Sequence, residues 1–433
     1  MDKLRNLDEK SSLDYYTTAI ALIEEHKIIS FHEIIYLYKD GIYREESGEL
    51  QKQITQIIRD SGVNGKSSFT QPKTQILDII KSTTSERDYP FNKANDLIPV
   101  KNGVIKIDSV TGKVTLLEHS PLYRFDWQLP IVYDPNANPD AIMAYLQSLG
   151  CDVDLLLQIP AHAILSMGGS IYKKCYLLKG EKNSGKTVFL KMLNTKFFGR
   201  SICANIPLQD LINEKHMTSG IVGKVVNISD DLPSIKLDDV GQFKALTGGG
   251  DITINRKYCH PFSYECRTLF VFASNSYPPI SKDESAFWER WILIPFNESF
   301  PIDPTIEERT FTDDNMSALL NLVIKRIFDI KKAGVKSDSW ERTRALWLNG
   351  SDPFFRYINT QLERDIEAYV PCDNLYKHYQ KECKKSDIVP ITKKEFGSRI
   401  QRIDVNKRQK TIKGKKTWCY FGYKIKTSQL QLN

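Results

Sequence analysis

No apolar run in the 433 residues approaches the roughly 20 needed to cross a bilayer, so no membrane partner is expected. The first residues, Met1-Asp2-Lys3-Leu4-Arg5-Asn6, lead into polar sequence without a signal-peptide core. Eight cysteines (151, 175, 203, 259, 266, 372, 383 and 419) form no C-x-x-C pair, and several sit within apolar runs. That excludes the usual zinc-ribbon spacing and argues against a disulfide frame; reduced thiols in a cytoplasmic protein are the expectation. There is no internal repeat and no low-complexity tract. Basic surplus is also missing from most of the chain. Residues 391–427 hold twelve Lys/Arg against two acids, a net +10, while the whole chain nets +7, which leaves −3 for everything else. A positive end on an otherwise slightly acidic chain is the footprint of a phosphate-backbone contact.

Gly180-Glu181-Lys182-Asn183-Ser184-Gly185-Lys186-Thr187 fits the P-loop pattern G-x-x-x-x-G-K-[ST] at every required position. The apolar run Cys175–Leu178 before it reads as a buried strand, and Val188–Leu193 after it as a helix. Gly180 and Gly185 permit a tight turn in which backbone N–H groups approach phosphates, with the helix dipole behind them. Lys186 is expected on the β- and γ-phosphates of ATP, and the Thr187 hydroxyl on Mg²⁺. A nucleotide loop does not by itself say what the nucleotide drives.

A chain of this length suggests roughly three domains at about 150 residues each. Residues 1–138 read as an N-terminal α+β domain, with a helix over 12–28, a hairpin turning at Asp40-Gly41, helices over Leu50–Ile58 and Thr74–Ile80, and a β-rich patch over Leu97–Leu117. Pro121, Pro130, Pro135 and Pro139 mark an extended connection. Residues 139–335 read as an α/β nucleotide domain with a mostly parallel sheet, closed by an amphipathic helix over Asn315–Lys332. After Gly334 a polar linker is expected. Residues 336–433 end in two helices (Asp373–Lys385, Lys393–Ile403) and a basic strand pair around Gly414, a winged-helix pattern.

A P-loop enzyme needs a further carboxylate site. Val225–Ser229 is an apolar strand that ends in Asp230 and Asp231, about forty residues beyond the loop. Asp230 is assigned to Mg²⁺ through its water shell, and Asp231 to polarising the attacking water. Leu269–Ser274 is another apolar strand and ends in Asn275, placed to bond both γ-phosphate and water; many strands end in Ser-Asn for turn reasons alone. Between them Ile252/Ile254 and Phe262/Tyr264 alternate with polar residues around Arg256, Lys257 and His260. This is a hairpin whose tip reads equally as a nucleic-acid finger or as a solvated turn. Arg290 precedes the strand Trp291–Phe296. It reads as a finger on a neighbour's γ-phosphate or, more commonly for an arginine among aromatics, as a surface ion pair.

Together these residues resemble the superfamily III helicases, AAA+ ATPases of viruses, phages, plasmids and mobile elements, and most of all the poxvirus-type and phage/plasmid primase-helicase branch. The likeness runs through Lys186 to Asn275 in order, through Lys244–Gly249 with Asp251 and Arg256-Lys257-Tyr258, and through Phe287-Trp288-Glu289-Arg290. Asn102–Ile107, His119-Ser120-Pro121 and Tyr133-Asp134-Pro135 are similar to the domain that precedes the ATPase in that branch. The resemblance implies an AAA+ ATPase domain, a homo-oligomer, with a hexameric ring the expected form, and Arg290 completing the neighbour's site. It also implies that Lys244, Arg256, Lys257 and His260 meet single-stranded DNA in a central channel, and that the C-terminal domain, with Lys407 and Arg408 on its basic segment, meets duplex. Two departures stand out: Asp231 where glutamate is common, and Trp291 where many relatives carry a second arginine. Most relatives carry a primase domain upstream, whereas about thirty residues precede the helicase-associated region here, so no primer synthesis is expected of this chain, and a separate primase or polymerase is an expected partner. The reading is an ATP-dependent replicative DNA helicase of a mobile element, phage or virus. An AAA+ initiator or helicase loader that binds DNA without unwinding it is the alternative. A P-loop ATPase that remodels protein would leave the basic terminus as a solvated tail, against the apolar positions Phe396, Ile400, Trp418 and Phe421 within it.

Overall fold

The computed structural model describes residues 13–62, 69–214, 216–230, 232, 240–255, 260–280, 283–386, 388–403 and 406–426. It is a mixed α/β chain with several sheets, divided into two compact units. Of the described residues, 13–232, 240–275 and 290–337 fall in the first unit, and 276–289 and 338–426 in the second.

The first unit opens with α1 (Tyr15–His26), β1 (Ile29–Phe31), β2 (Ile34–Lys39), β3 (Ile42–Glu45), α2 (Glu49–Asp60), α3 (Thr70–Thr84) and β4 (Ser85–Glu86). Asp14 caps α1 by accepting from Tyr16 N–H at 3.0 Å. The β2–β3 turn falls on Asp40 (φ 53°) and Gly41 (φ 88°), the left-handed pair that matches strand twist. The strands pair in the order β3-β2-β1-β4. Leu50, Ile54 and Ile58 of α2 and Ile76 and Ile80 of α3 recur at helical spacing and are wholly buried with Ala19 and Leu22.

A second sheet follows from β5 (Leu97–Val100), β6 (Gly103–Ile107) and β7 (Val114–Leu117). The proline-marked stretch beyond it is extended, and its alternate residues Phe125, Trp127, Leu129, Ile131 and Tyr133 are buried. The last four of these belong to the same core as the parallel sheet. Then come α4 (Asp140–Ser148) and α5 (Val153–Met167), the latter buried throughout from Leu156. No single described helix is long and apolar enough to cross a membrane.

The parallel sheet is built from β8 (Cys175–Gly180), then α6 (Lys186–Met192), β9 (Cys203–Ala204), α7 (Leu208–Asn213), β10 (Val226–Ser229), α8 (Val240–Thr247), a hairpin of β11 (Asp251–Ile254) and β12 (Phe262–Glu265), and β13 (Leu269–Ser274). The chain passes through α9 (Ser285–Trp288), which belongs to the second unit, before returning as β14 (Trp291–Phe296). The five strands lie in the order β14-β8-β13-β10-β9, every pair parallel, as the alternating pattern predicts. After α10 (Ile306–Thr310), α11 (Asp313–Ala333) packs on α5 through a buried stripe of Leu319, Leu320, Val323, Ile327 and Ile330.

In the second unit the polar linker expected after Gly334 ends at Ser339. Two helices follow instead, α12 (Trp340–Ser351) and α13 (Pro353–Gln361). Ser339 caps the first by accepting from Arg342 N–H at 3.3 Å, and Asp352 caps the second by accepting from Phe354 N–H at 2.9 Å with Pro353 at its first position. Trp347, Phe354 and Tyr357 anchor them. The remainder is β15 (Leu362–Pro371), α14 (Cys372–Lys385), α15 (Lys393–Gln401), β16 (Asn406–Ile412) and β17 (Lys415–Ile425). The strands order as β15-β17-β16 over a core of Tyr379, Phe396, Ile400 and Tyr420.

Candidate nucleotide site

Gly180 closes β8, and Lys186 opens α6. Between them Asn183 (φ 63°) and Gly185 (φ 90°) are left-handed, an alternation that turns successive N–H groups toward one concavity. A side chain has no room there. A Cβ on Gly180 would lie 2.3 Å from the Phe296 carbonyl oxygen and 2.8 Å from Ser184 Oγ, and one on Gly185 would lie 2.9 Å from Leu149 Cδ2. Phe300 N–H donates to the Asn183 carbonyl at 2.9 Å and holds the loop apex. Leu149 and Phe300 have no motif spacing, so nothing in the linear pattern points to them.

Lys186 is 6% exposed. Its ammonium donates to the Gly180 carbonyl (2.7 Å), the Glu181 carbonyl (2.9 Å), Ser184 Oγ (3.1 Å) and Asn275 Oδ1 (3.1 Å). Burial pulls its pKa below the ordinary lysine value, and Glu181 opposes that pull. The Asn275 contact joins two segments 89 residues apart. The sheet explains it: Ser274, the last residue of β13, pairs with Lys179 of β8, so both strands deliver their next residues to the same edge. Ser274 Oγ donates to the Leu232 carbonyl at 3.0 Å and Leu232 N–H to the Ala273 carbonyl at 2.8 Å, which ties Leu232 to that edge. Asp230 follows β10 at the same edge and is exposed, as is Thr187 on the first turn of α6. Asp231 lies outside the described residues. The donor set fits a magnesium-bound triphosphate: a concavity of N–H groups, one buried cation with exchangeable partners, and a hydroxyl and a carboxylate at one sheet edge.

Arg290 is not part of this cluster. It is half-buried, and its carbonyl accepts from Cys175 N–H at 2.7 Å. Trp291 stands opposite Cys175 and Phe296 opposite Gly180, so Arg290 marks the far end of β14, roughly 16 Å of strand from the loop. Within one chain it does not meet Lys186.

Of the DNA-facing candidates, Lys244 is half-buried on α8, and His260 is exposed at the start of the return strand. Arg256 and Lys257 lie outside the described residues. Ile252 pairs with Tyr264 and Ile254 with Phe262, all four buried, which is the expected hairpin register. In the second unit Lys407 and Arg408 are exposed on β16, opposite Tyr420 and Cys419, with the Lys407 ammonium 5.3 Å from the Trp418 ring centre.

A partly buried polar cluster stands elsewhere in the first unit. Asp126 accepts from the Tyr89 hydroxyl and from Asn92 Nδ2 (2.6 Å), and burial raises its pKa. These partners are over thirty residues apart, so no local pattern signals them.

Residues 14–151 match the family model described as D5 N terminal like, and residues 349–428 match Poxvirus D5 protein-like. Those two segments are what this chain has in common with D5 proteins. Residues 178–290, which hold the loop, Asn275 and Arg290, match a family of unknown function, DUF5906. No curated protein matches it. Similar solved structures include the A form apo structure of the NrS-1 C terminal region, 14% identical, covering 96% of this chain and 100% of that one with a TM-score of 0.47. Two apo structures of residues 305–718 of the same region are 12% identical, cover 95% of this chain and 100% of their own, and have TM-scores of 0.44 and 0.43.

Proposed function

We propose that this chain is a superfamily III DNA helicase, an AAA+ ATPase that serves replication of a mobile genetic element, phage or virus. The observation that carries this reading is the 3.1 Å contact between the Lys186 ammonium and Asn275, where the P-loop and the asparagine strand meet at the carboxyl edge of one parallel sheet. A loop that merely happened to match the motif would have no reason to recruit that amide.

In this reading Lys186 exchanges its loop carbonyls for the β- and γ-phosphate oxygens of ATP, and the N–H groups of Gly180–Thr187 hold the rest of the triphosphate. Thr187 and Asp230 hold Mg²⁺, which when bound neutralises charge on the phosphate oxygens. Asn275 orients the attacking water and Asp231 polarises it. Arg290, far from its own loop, serves the γ-phosphate of a neighbouring subunit in a hexameric ring. Lys244, Arg256, Lys257 and His260 grip one DNA strand in the channel. The second unit acts as a winged helix, with α14 and α15 as its helices and β16–β17, bearing Lys407 and Arg408, as the wing on duplex. A separate primase or polymerase supplies primers.

The test is strand displacement on forks with 3′ or 5′ tails, with and without ATP. Unwinding that needs ATP and is lost in Lys186→Ala supports the reading. ATP-dependent DNA binding with no strand separation replaces it with an initiator or loader, and ATP turnover unchanged in Lys186→Ala removes the nucleotide site itself.

A further inference from the structure

The first unit carries a concentration of positive charge that belongs to none of the sites above. Helix α2 is two-faced: Leu50, Ile54 and Ile58 are wholly buried, while Gln51, Lys52, Gln56 and Arg59 are exposed. Together with Thr55 and with Lys73 from α3, these polar residues line an open groove of about 390 Å³. The lining has three cations and no carboxylate. The acids nearby on α2 and its approach are engaged: Glu49 with Lys39 at 2.9 Å, Glu46 as acceptor from Gly48 and Leu50 N–H at 2.6 and 3.0 Å, and Asp60 as acceptor from Gln56 at 2.8 Å. Among the described residues Lys52, Arg59 and Lys73 form no ion pair.

Arg59 sits in the last turn of α2, where the helix dipole favours a cation, but helix stability does not account for Lys73. Lys73 stands in the first turn of α3, where the helix dipole disfavours a cation, and that turn holds no acid. Lys52 and Arg59 are seven residues apart, two helical turns or about 10.5 Å, the rise of about three phosphates along one strand of duplex. Cations at that pitch with no ion-pair partner suit a phosphodiester backbone.

We infer that the α2–α3 groove is a contact for the sugar-phosphate backbone of duplex DNA, independent of base sequence. The inference rests on the reading of this chain as a DNA helicase and adds a duplex contact on the N-terminal side to the one on β16.

The experiment titrates the full chain with a labelled duplex over a series of salt concentrations. It compares the wild type, the triple variant Lys52→Ala/Arg59→Ala/Lys73→Ala, the charge-keeping variant Lys52→Arg/Arg59→Lys/Lys73→Arg, and Lys407→Ala/Arg408→Ala. The triple variant lowers the slope of log K against log salt by about two to three, equally for unrelated sequences, because each phosphate contact contributes about 0.9 to that slope. The charge-keeping variant retains the wild-type slope, which separates loss of charge from loss of fold. A wild-type slope in the triple variant, with a reduced slope in the β16 variant, overturns the groove and leaves the helicase reading standing. Failure of the wild type to bind duplex overturns both. Binding of anionic phospholipid vesicles in place of duplex overturns the groove as a DNA contact.

Discussion

Asn275 is the residue on which the proposed chemistry turns. Its amide oxygen takes one hydrogen bond of the Lys186 ammonium, and its position after β13 is set by the strand, not by a loop. Removing a single preorganised polar group from such a site costs about 10²–10³ in turnover. Asn275→Ala should therefore lower kcat by at least about 10²-fold while leaving nucleotide affinity within a few-fold; equal losses in binding and turnover would make Asn275 a loop prop. His162 is a residue-scale probe of a different kind. It is buried against Tyr172 and Tyr176, its Nδ1 lies 3.2 Å from the Tyr176 hydroxyl, and burial pushes its pKa down to about 3. The folded chain keeps the ring neutral, whereas the unfolded chain takes up a proton near the ordinary value of 6.5. The unfolded state thus binds more protons between those values, and stability falls as pH drops below about 6.5. At about pH 5 the loss from this group is about 2 kcal/mol. His162→Gln should lose less of its thermal midpoint than the wild type on going from neutral pH to about pH 5, and an equal loss would assign the acid sensitivity elsewhere.

Among the elements, those with a repeating pattern were legible from the sequence. Asp40-Gly41 announces its hairpin because only a left-handed pair suits that turn, and the stripe on α11 announces its buried face. The strand-ending Asn275 could be placed beside the loop because both strands are apolar and parallel strands gather ligands at one edge. Helices α12 and α13 were not legible: they are short, and they hold through caps at Ser339 and Asp352 and a few aromatics that find distant partners. Strand β15 is largely exposed over Glu363–Ala368, so it lacks the alternation that betrays a half-buried strand. The basic hairpin of the second unit carries an element-scale prediction. Lys407→Ala/Arg408→Ala should weaken duplex binding equally across sequences and reduce the salt slope by about two, with binding of single strands unaffected. In the first unit Lys257→Ala should abolish strand separation while ATP turnover persists; normal unwinding by that variant would remove the hairpin from the translocating machinery.

At the scale of the whole molecule, the parallel sheet separates two sets of candidate residues that the motif order on the string makes look close. Lys186 and Asn275 gather at one edge, while Arg290 stands at the start of β14 at the other. An arginine so placed acts on a triphosphate only across a subunit boundary, which is why the account requires a ring. The most direct measurement mixes two variants, Lys186→Ala and Arg290→Ala, each inactive alone. In mixed rings some interfaces join an intact loop from one subunit to an intact arginine from the next, and the account predicts that ATP turnover recovers on mixing. A mixture as inactive as its parts, or an Arg290→Ala chain that hydrolyses ATP like the wild type, would contradict it.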